Sequence, residues 1–188
     1  MPVTLERPET RETALPSDGR KWEWVDGEAV LVPTGFEHDA IAGLVYRLLF
    51  DLAVGFGVLT ISQAGFRMES GNVRSPDVCF TRFERLPRGE RLPGGYLDFA
   101  PDLCVEVISR SETRDDRARK VREYFASGAS LVWELFPATK SVQVHEVGVE
   151  SVRTLAETDT LDAGELIPGF SCRVADCFAI PGWPRENS

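Results

Sequence analysis

The segment PDLCVEVIS, at residues 101–109, is the most informative part of this chain. Its apolar and β-branched residues are typical of a strand in the centre of a sheet. One acidic residue, Glu106, interrupts the apolar run. Because a carboxylate is rarely buried in a strand without a partner, this glutamate is a candidate functional residue.

Patterns on both sides of this strand predict a mixed α/β fold. Apolar residues at three- and four-residue spacing predict a helix over residues 37–54. A second helix is expected to begin after Ser111 or Thr113, which are good capping residues, and to end at Gly128. Further strands are predicted at residues 58–62, 65–69, 75–81, 131–136 and 141–147, after an N-terminal β-hairpin that turns at Asp26-Gly27. This order predicts a mixed β-sheet flanked by helices.

Composition and length limit the class of protein. The 188 residues favour one domain, for which we expect an arm over residues 1–20, a folded part over 21–180 and a tail over 181–188. No uncharged apolar run is long enough to span a membrane, and residues 1–20 do not resemble an export signal, so we expect a cytoplasmic protein. The net charge of −9 argues against coating of nucleic acid by bulk electrostatics, but it leaves room for a local basic surface.

A second acid, Asp77, lies in the predicted strand RSPDVCF and is the natural partner of Glu106. Neighbouring strands are about 4.8 Å apart, so the two carboxylates can point at one spot if their strands are adjacent. Carboxylates that close repel each other unless a cation lies between them, and hard oxygen ligands suit Mg²⁺ or Mn²⁺. Asp102 is about 13 Å from Glu106 along the strand and cannot share that ion.

Basic residues near these acids supply further candidates. Lys120 lies on the helix that follows the Glu106 strand, where an ammonium could orient a water molecule or stabilise charge on a phosphate. A lysine that only reaches the surface along the helix is the alternative interpretation. Two groups of arginines are candidates for DNA phosphate contacts, with a solvated face as their alternative. They are Arg82, Arg85 and Arg88 in a loop rich in proline and glycine, and Arg114 and Arg117 on the helix.

The chain resembles the Uma family of restriction endonucleases, in the PD-(D/E)xK nuclease superfamily. The resemblance lies in the ordered signature Pro76-Asp77, then Glu106, then Lys120. The segments WEWVDGE (22–28) and LIPGF (166–170) resemble its opening hairpin and its closing segment. The resemblance extends over most of the chain and implies a restriction-endonuclease-like fold.

The chain departs from the superfamily pattern at one position. The pattern has a lysine two residues after the glutamate, where this chain has Ile108. The family resemblance implies that the lysine has migrated to the next helix as Lys120. Glu23 and His38 match the family hairpin and first helix, and the resemblance implies that each is a further ligand, a water-positioning group or a purely structural residue.

We therefore expect a Mg²⁺-dependent DNA endonuclease. Asp77, Glu106 and the backbone carbonyl of Val107 would be the metal ligands, and cleavage of both strands favours a homodimer. The alternative is a non-catalytic DNA-binding or regulatory protein on the same fold, which Ile108 and the negative net charge favour. A protein–protein interaction domain is a third possibility.

Overall fold

The computed structural model describes residues 15–16, 18, 20–32 and 35–182, and most of the predicted arm and tail lie outside these ranges. Two α-helices are present in the described residues, α1 (Phe36–Ala53) and α2 (Arg114–Ala126). The strands are β1 (Trp22–Val25), β2 (Glu28–Leu31), β3 (Gly57–Ile61), β4 (Phe66–Arg67), β5 (Val73–Arg74), β6 (Val78–Arg82), β7 (Leu103–Val107), β8 (Leu131–Phe136), β9 (Ser141–Glu146), β10 (Arg153–Leu155), β11 (Thr160–Asp162) and β12 (Ser171–Arg173).

A six-stranded sheet forms the centre of the molecule, in the order β10-β9-β8-β7-β6-β3. Strands β7 and β8 are parallel, and the other neighbouring pairs are antiparallel. The predicted mixed sheet with a helix on each side is confirmed. The segment PDLCVEVIS supplies β7, which is buried at every position because strands pair with it on both edges and side chains cover both faces.

Helix α1 covers one face of this sheet. Its stripe of Ile41, Val45 and Leu49 is buried, and it belongs to the same core as Val105 and Trp133 of the sheet. The helix lies within one residue of the predicted bounds at each end. None of the described helices has the length and apolar character needed to cross a lipid bilayer.

Helix α2 covers the opposite face. Thr113, rather than Ser111, caps it, because the Thr113 side chain accepts a hydrogen bond from a backbone N–H of the first turn. Val121 and Tyr124 point inward and pack in a second core that includes Cys104. Because α2 directly follows β7 in the chain, it holds its inward side chains over the same face of the sheet as Glu106.

A smaller antiparallel sheet, in the order β2-β1-β5-β4, contains the predicted hairpin. Asp26 and Gly27 both have positive φ, at 51° and 87°, as a two-residue type I′ turn requires. Glycine has no steric penalty there, and aspartate is among the few residues that tolerate it.

The strand predicted at residues 75–81 is wrong at its start. Strand β6 begins at Val78, and the preceding pair Val73–Arg74 belongs to the smaller sheet. Pro76 has no N–H to give to a ladder, so the chain changes sheets there. Asp77 therefore lies at the junction of the two sheets instead of inside a strand. The strand predicted at residues 65–69 is likewise shorter, Phe66–Arg67.

Candidate active site

Asp77, directly before β6, lies opposite Glu106 of β7. The antiparallel register pairs Val78 with Val105, so the next position along pairs Asp77 with Glu106. Residues that are opposite in an antiparallel pair have their side chains on the same face. Both acids are buried. Strands β6 and β7 are neighbours, which is the condition under which the sequence lets the two carboxylates point at one spot.

The Asp77 carboxylate is bound by donors from three separate parts of the chain. Lys21 Nζ lies 2.6 Å from Oδ1, His38 Nε2 lies 3.1 Å from Oδ2, and the Val107 N–H donates to Oδ2 at 2.8 Å. Burial would raise the pKa of Asp77, but the hydrogen bond from His38 and the charge of Lys21 outweigh it and lower the pKa to about 2. Asp77 is therefore ionised at neutral pH.

The Glu106 carboxylate is bound by two side chains of α2. Lys120 Nζ lies 3.3 Å from Oε2, and the Tyr124 hydroxyl donates to Oε1. The same ammonium lies 3.4 Å from Glu112 Oε1 in the loop after β7. Burial raises the pKa of Glu106 to about 7, the charge of Lys120 opposes this shift, and the charge of Asp77 adds to it. The two carboxyl groups thus differ strongly in pKa, a feature typical of paired functional acids.

Glu23 lies beside this pair, on β1. Its carboxylate accepts the Ser75 N–H at 3.1 Å and is 3.0 Å from Arg74 Nη1. Its charge contributes to the raised pKa of Lys21 and of Lys120, so it is close enough to act on both ammonium groups. Both Glu23 and His38 are thus brought to the candidate site, and their role as ligands or water-positioning groups stays a prediction.

Three of the predicted DNA-contact arginines bind acids other than the carboxylate pair. Arg82 Nε and Arg85 Nη1 lie 2.9 Å and 3.2 Å from Asp102 Oδ1, beside the start of β7, whereas Glu106 is near its end. Arg117 Nη1 lies 3.2 Å from Glu134 Oε1.

The remaining two predicted DNA-contact arginines, Arg88 and Arg114, are exposed. Val107 binds Asp77 through its N–H. The role of the Val107 carbonyl as a metal ligand remains a prediction. The DNA contacts of the arginines also remain a prediction.

Two residues of the site, Lys21 and Tyr124, were missed by sequence reasoning. Lys21 is two residues before Glu23, so in an extended segment both side chains point to the same side. Tyr124 is four residues after Lys120 and therefore shares its helix face. Both spacings are visible in the sequence. Only the folded positions of the smaller sheet and of α2 show that Lys21 contacts Asp77 and that Tyr124 contacts Glu106.

The side chains available as ligands at this pair limit the kind of metal that fits. In the part of the chain that the structure describes, no group of three or more histidine, cysteine or acidic side chains is arranged to hold an ion. Zinc sites have at least three such ligands. Mg²⁺ binds through one or two carboxylates, with water and substrate phosphates completing its shell. Asp77 and Glu106 therefore fit a magnesium ion that binds together with a phosphate.

Comparison with known proteins adds two findings. The family model Uma2, described as "Putative restriction endonuclease", matches residues 10–175. Among solved structures, the chain is similar to a protein from Anabaena variabilis described as a putative nuclease belonging to DUF820, with 15% sequence identity and a TM-score of 0.77. The similarity covers 87% of this chain and 93% of that one. No curated protein matches the chain.

Proposed function

The chain belongs to the Uma2 family, and on that premise we propose that it is a Mg²⁺- or Mn²⁺-dependent endonuclease that hydrolyses DNA phosphodiester bonds. Its fold is restriction-endonuclease-like. The observation that carries the proposal is the buried pair of Asp77, directly before β6, and Glu106, opposite it on β7, with Lys120 Nζ 3.3 Å from Glu106. Paired carboxylates with an adjacent ammonium suit phosphoryl transfer.

Each residue of the site has a role in this proposal. Asp77, Glu106 and the carbonyl of Val107 would hold the ion, which when bound polarises the scissile phosphate and lowers the pKa of the attacking water. His38 fixes the orientation of Asp77 through its contact with Oδ2. Lys120 fixes Glu106 and adds positive charge where negative charge develops on the phosphate.

The wider surface completes the proposal. Arg88 and Arg114 are the better candidates for phosphate contacts, because Arg82, Arg85 and Arg117 already have carboxylate partners. A homodimer in the cytoplasm would provide one site for each strand of a duplex.

The test is cleavage of supercoiled plasmid and of labelled oligonucleotides with Mg²⁺, with Mn²⁺ and with chelator. We expect metal-dependent nicking or cutting that falls more than about 100-fold in Asp77→Asn and in Glu106→Gln, since even outer-shell partners of a metal cost up to that much. Asp98→Asn is the matched control, because this acid is 81% exposed. Cleavage that persists with chelator, or unchanged in Asp77→Asn, would contradict the proposal.

A specific observation favours the second candidate, a DNA-binding or regulatory protein without catalysis. The oxygens of both carboxylates already have protein donors, from Lys21, His38 and Val107 on one and Lys120 and Tyr124 on the other. A thermal melt with Mn²⁺ separates the two candidates. An ion-binding site raises the melting temperature of the wild type and loses that gain in Glu106→Gln, whereas a site closed by its own lysines gives no shift in either.

A further inference from the structure

Lysine is rare in this chain, and its distribution is uneven. Of the 21 basic residues, three are lysines, Lys21, Lys120 and Lys140. Two of them bind the two central carboxylates, whereas Lys140 is exposed and 3.4 Å from Glu157. An ammonium is a compact point charge, unlike the planar guanidinium. Two of the three lysines therefore lie at the carboxylates where a divalent ion is expected to bind.

Lys21 binds the oxygen of Asp77 that an ion would need. Oδ2 is already held by the His38 ring and the Val107 N–H, whereas Lys21 Nζ lies 2.6 Å from Oδ1. The Lys21 side chain is 8% exposed, so the contact is shielded from solvent. An ion that binds Asp77 through Oδ1 must therefore compete with this ammonium.

Each of the two carboxylates already has a cationic partner without an ion. Lys21 Nζ lies 2.6 Å from Asp77, and Lys120 Nζ lies 3.3 Å from Glu106. Addition of a divalent cation beside two buried ammonium groups is costly unless one of them leaves or an anion arrives. A DNA phosphate is such an anion.

A groove beside Lys21 gives its side chain space to move. Lys21 lines this groove, which opens to solvent, together with Arg20, Trp22 and Tyr96. Two basic and two aromatic side chains thus contribute to its lining, and such side chains are the ones that bind single-stranded nucleic acid. A four-carbon side chain that is released from Asp77 can stay at this edge of the site without unfolding β1.

We propose that Lys21 is a catalytic residue that neutralises Asp77 in the ion-free protein and moves from Asp77 onto the scissile phosphate when ion and DNA bind. This inference rests on the proposed function. It adds Lys21 as a second phosphate-facing ammonium, on the Asp77 side of the site, while Lys120 keeps its contacts with Glu106 and Glu112. No covalent bond to Lys21 forms or breaks. A consequence is that ion and DNA bind cooperatively, and each raises the affinity of the other by the same factor.

The first test measures how fast each lysine of the unaltered protein reacts with an amine-acylating reagent, with mass spectrometry to locate the modification. Mn²⁺ alone should speed modification of Lys21 several-fold, because the ammonium leaves its buried carboxylate. Further addition of uncleavable phosphorothioate DNA should slow it again. Lys140 is the internal control and should not respond. The inference is overturned if Mn²⁺, at concentrations that saturate the melting-temperature shift, leaves the modification rate of Lys21 unchanged.

The second test is calorimetric titration of Mn²⁺ into Lys21→Met and into the control Lys140→Met. Without DNA, Lys21→Met should bind the ion about tenfold more tightly than wild type, because a competing charged hydrogen bond is gone. DNA should then tighten ion binding less than in wild type. Equal affinities in wild type and Lys21→Met overturn the inference alone. If neither protein binds Mn²⁺, the inference and the metal-dependent function both fail.

Discussion

Glu106 keeps its proton in the ion-free fold up to about pH 7, because burial raises the pKa of its carboxyl from 4.5. In the unfolded chain it is ionised above pH 4.5, so between these two values the folded state binds more protons. The free energy of unfolding must then fall as pH rises through this window, by a total on the order of 3 kcal/mol. We predict this loss for the protein without metal.

Urea unfolding at pH 5 and pH 7.5 in chelator measures this loss. Glu106→Gln should lose less stability than the wild type over the same range, because it removes this carboxyl and keeps the shape. The remaining loss belongs to His38, since burial lowers its pKa but the contact with Asp77 outweighs this and raises it. Glu84→Gln is a suitable control, since Glu84 is 71% exposed. A wild-type protein that gains stability between pH 5 and 7.5 would contradict the raised pKa.

At the scale of single residues, part of the site was predictable from the sequence. Asp77 and Glu106 stand out because each is an acid in an apolar run, and alternation along strands suggests that they share a face. The partners of Arg82 and Lys21 could not be predicted, because they depend on which strands and loops become neighbours. The sequence shows that a buried acid needs a cation, but not which of 21 basic residues supplies it.

Among elements, the pairing of β3 with β6 depends on the absence of a side chain at Gly57. A Cβ there would lie 2.2 Å from the backbone oxygen of Thr81 and 2.6 Å from the ring of Phe80. Gly57→Ala must therefore move a strand, and we predict a loss of about 1–3 kcal/mol in the free energy of unfolding. Gly43, on the exposed side of α1, has open space around its position.

The matched variant Gly43→Ala should stabilise the protein by up to about 1 kcal/mol, because alanine is the better helix former. Denaturant unfolding of the two variants gives the comparison. Equal effects of the same sign would show that backbone propensity, rather than contact with β6, dominates at residue 57.

Element bounds were predictable where one physical signal dominates. The stripe of α1 and the cap of α2 follow from periodicity and from hydrogen bonding within a few residues. The start of β6 was placed too early, although Ser75, Pro76 and Asp77 interrupt the apolar run before Val78. The change of sheet at Pro76 depends on β1, which is more than 50 positions earlier and pairs with β5.

At the scale of the whole molecule, one arginine links the smaller sheet to α2 beside the candidate site. Arg74 of β5 is buried, with Nη1 3.0 Å from Glu23 of β1 and Nη2 2.6 Å from Glu123 of α2. Glu123 also accepts a hydrogen bond from Asn72. Since β1 carries Glu23 and follows Lys21, this contact determines how residues on the smaller sheet meet those on the central one.

Arg74→Met would keep most of the side-chain volume and leave the buried Glu23 and the mostly buried Glu123 without their cation. We predict a loss of about 3–5 kcal/mol in the free energy of unfolding, the usual cost of an uncompensated buried charge. The added change Glu123→Gln should recover part of that loss, because one of the two unpaired charges disappears.

Arg153→Met, at a half-exposed ion pair of 3.9 Å, should change stability by less than about 0.5 kcal/mol. Denaturant unfolding of Arg74→Met, of Glu123→Gln and of the double variant completes the double-mutant cycle, and Arg153→Met is measured beside them as the control. Strict additivity, or a loss below about 1 kcal/mol in Arg74→Met, would mean that hydrophobic packing alone holds the smaller sheet against α2.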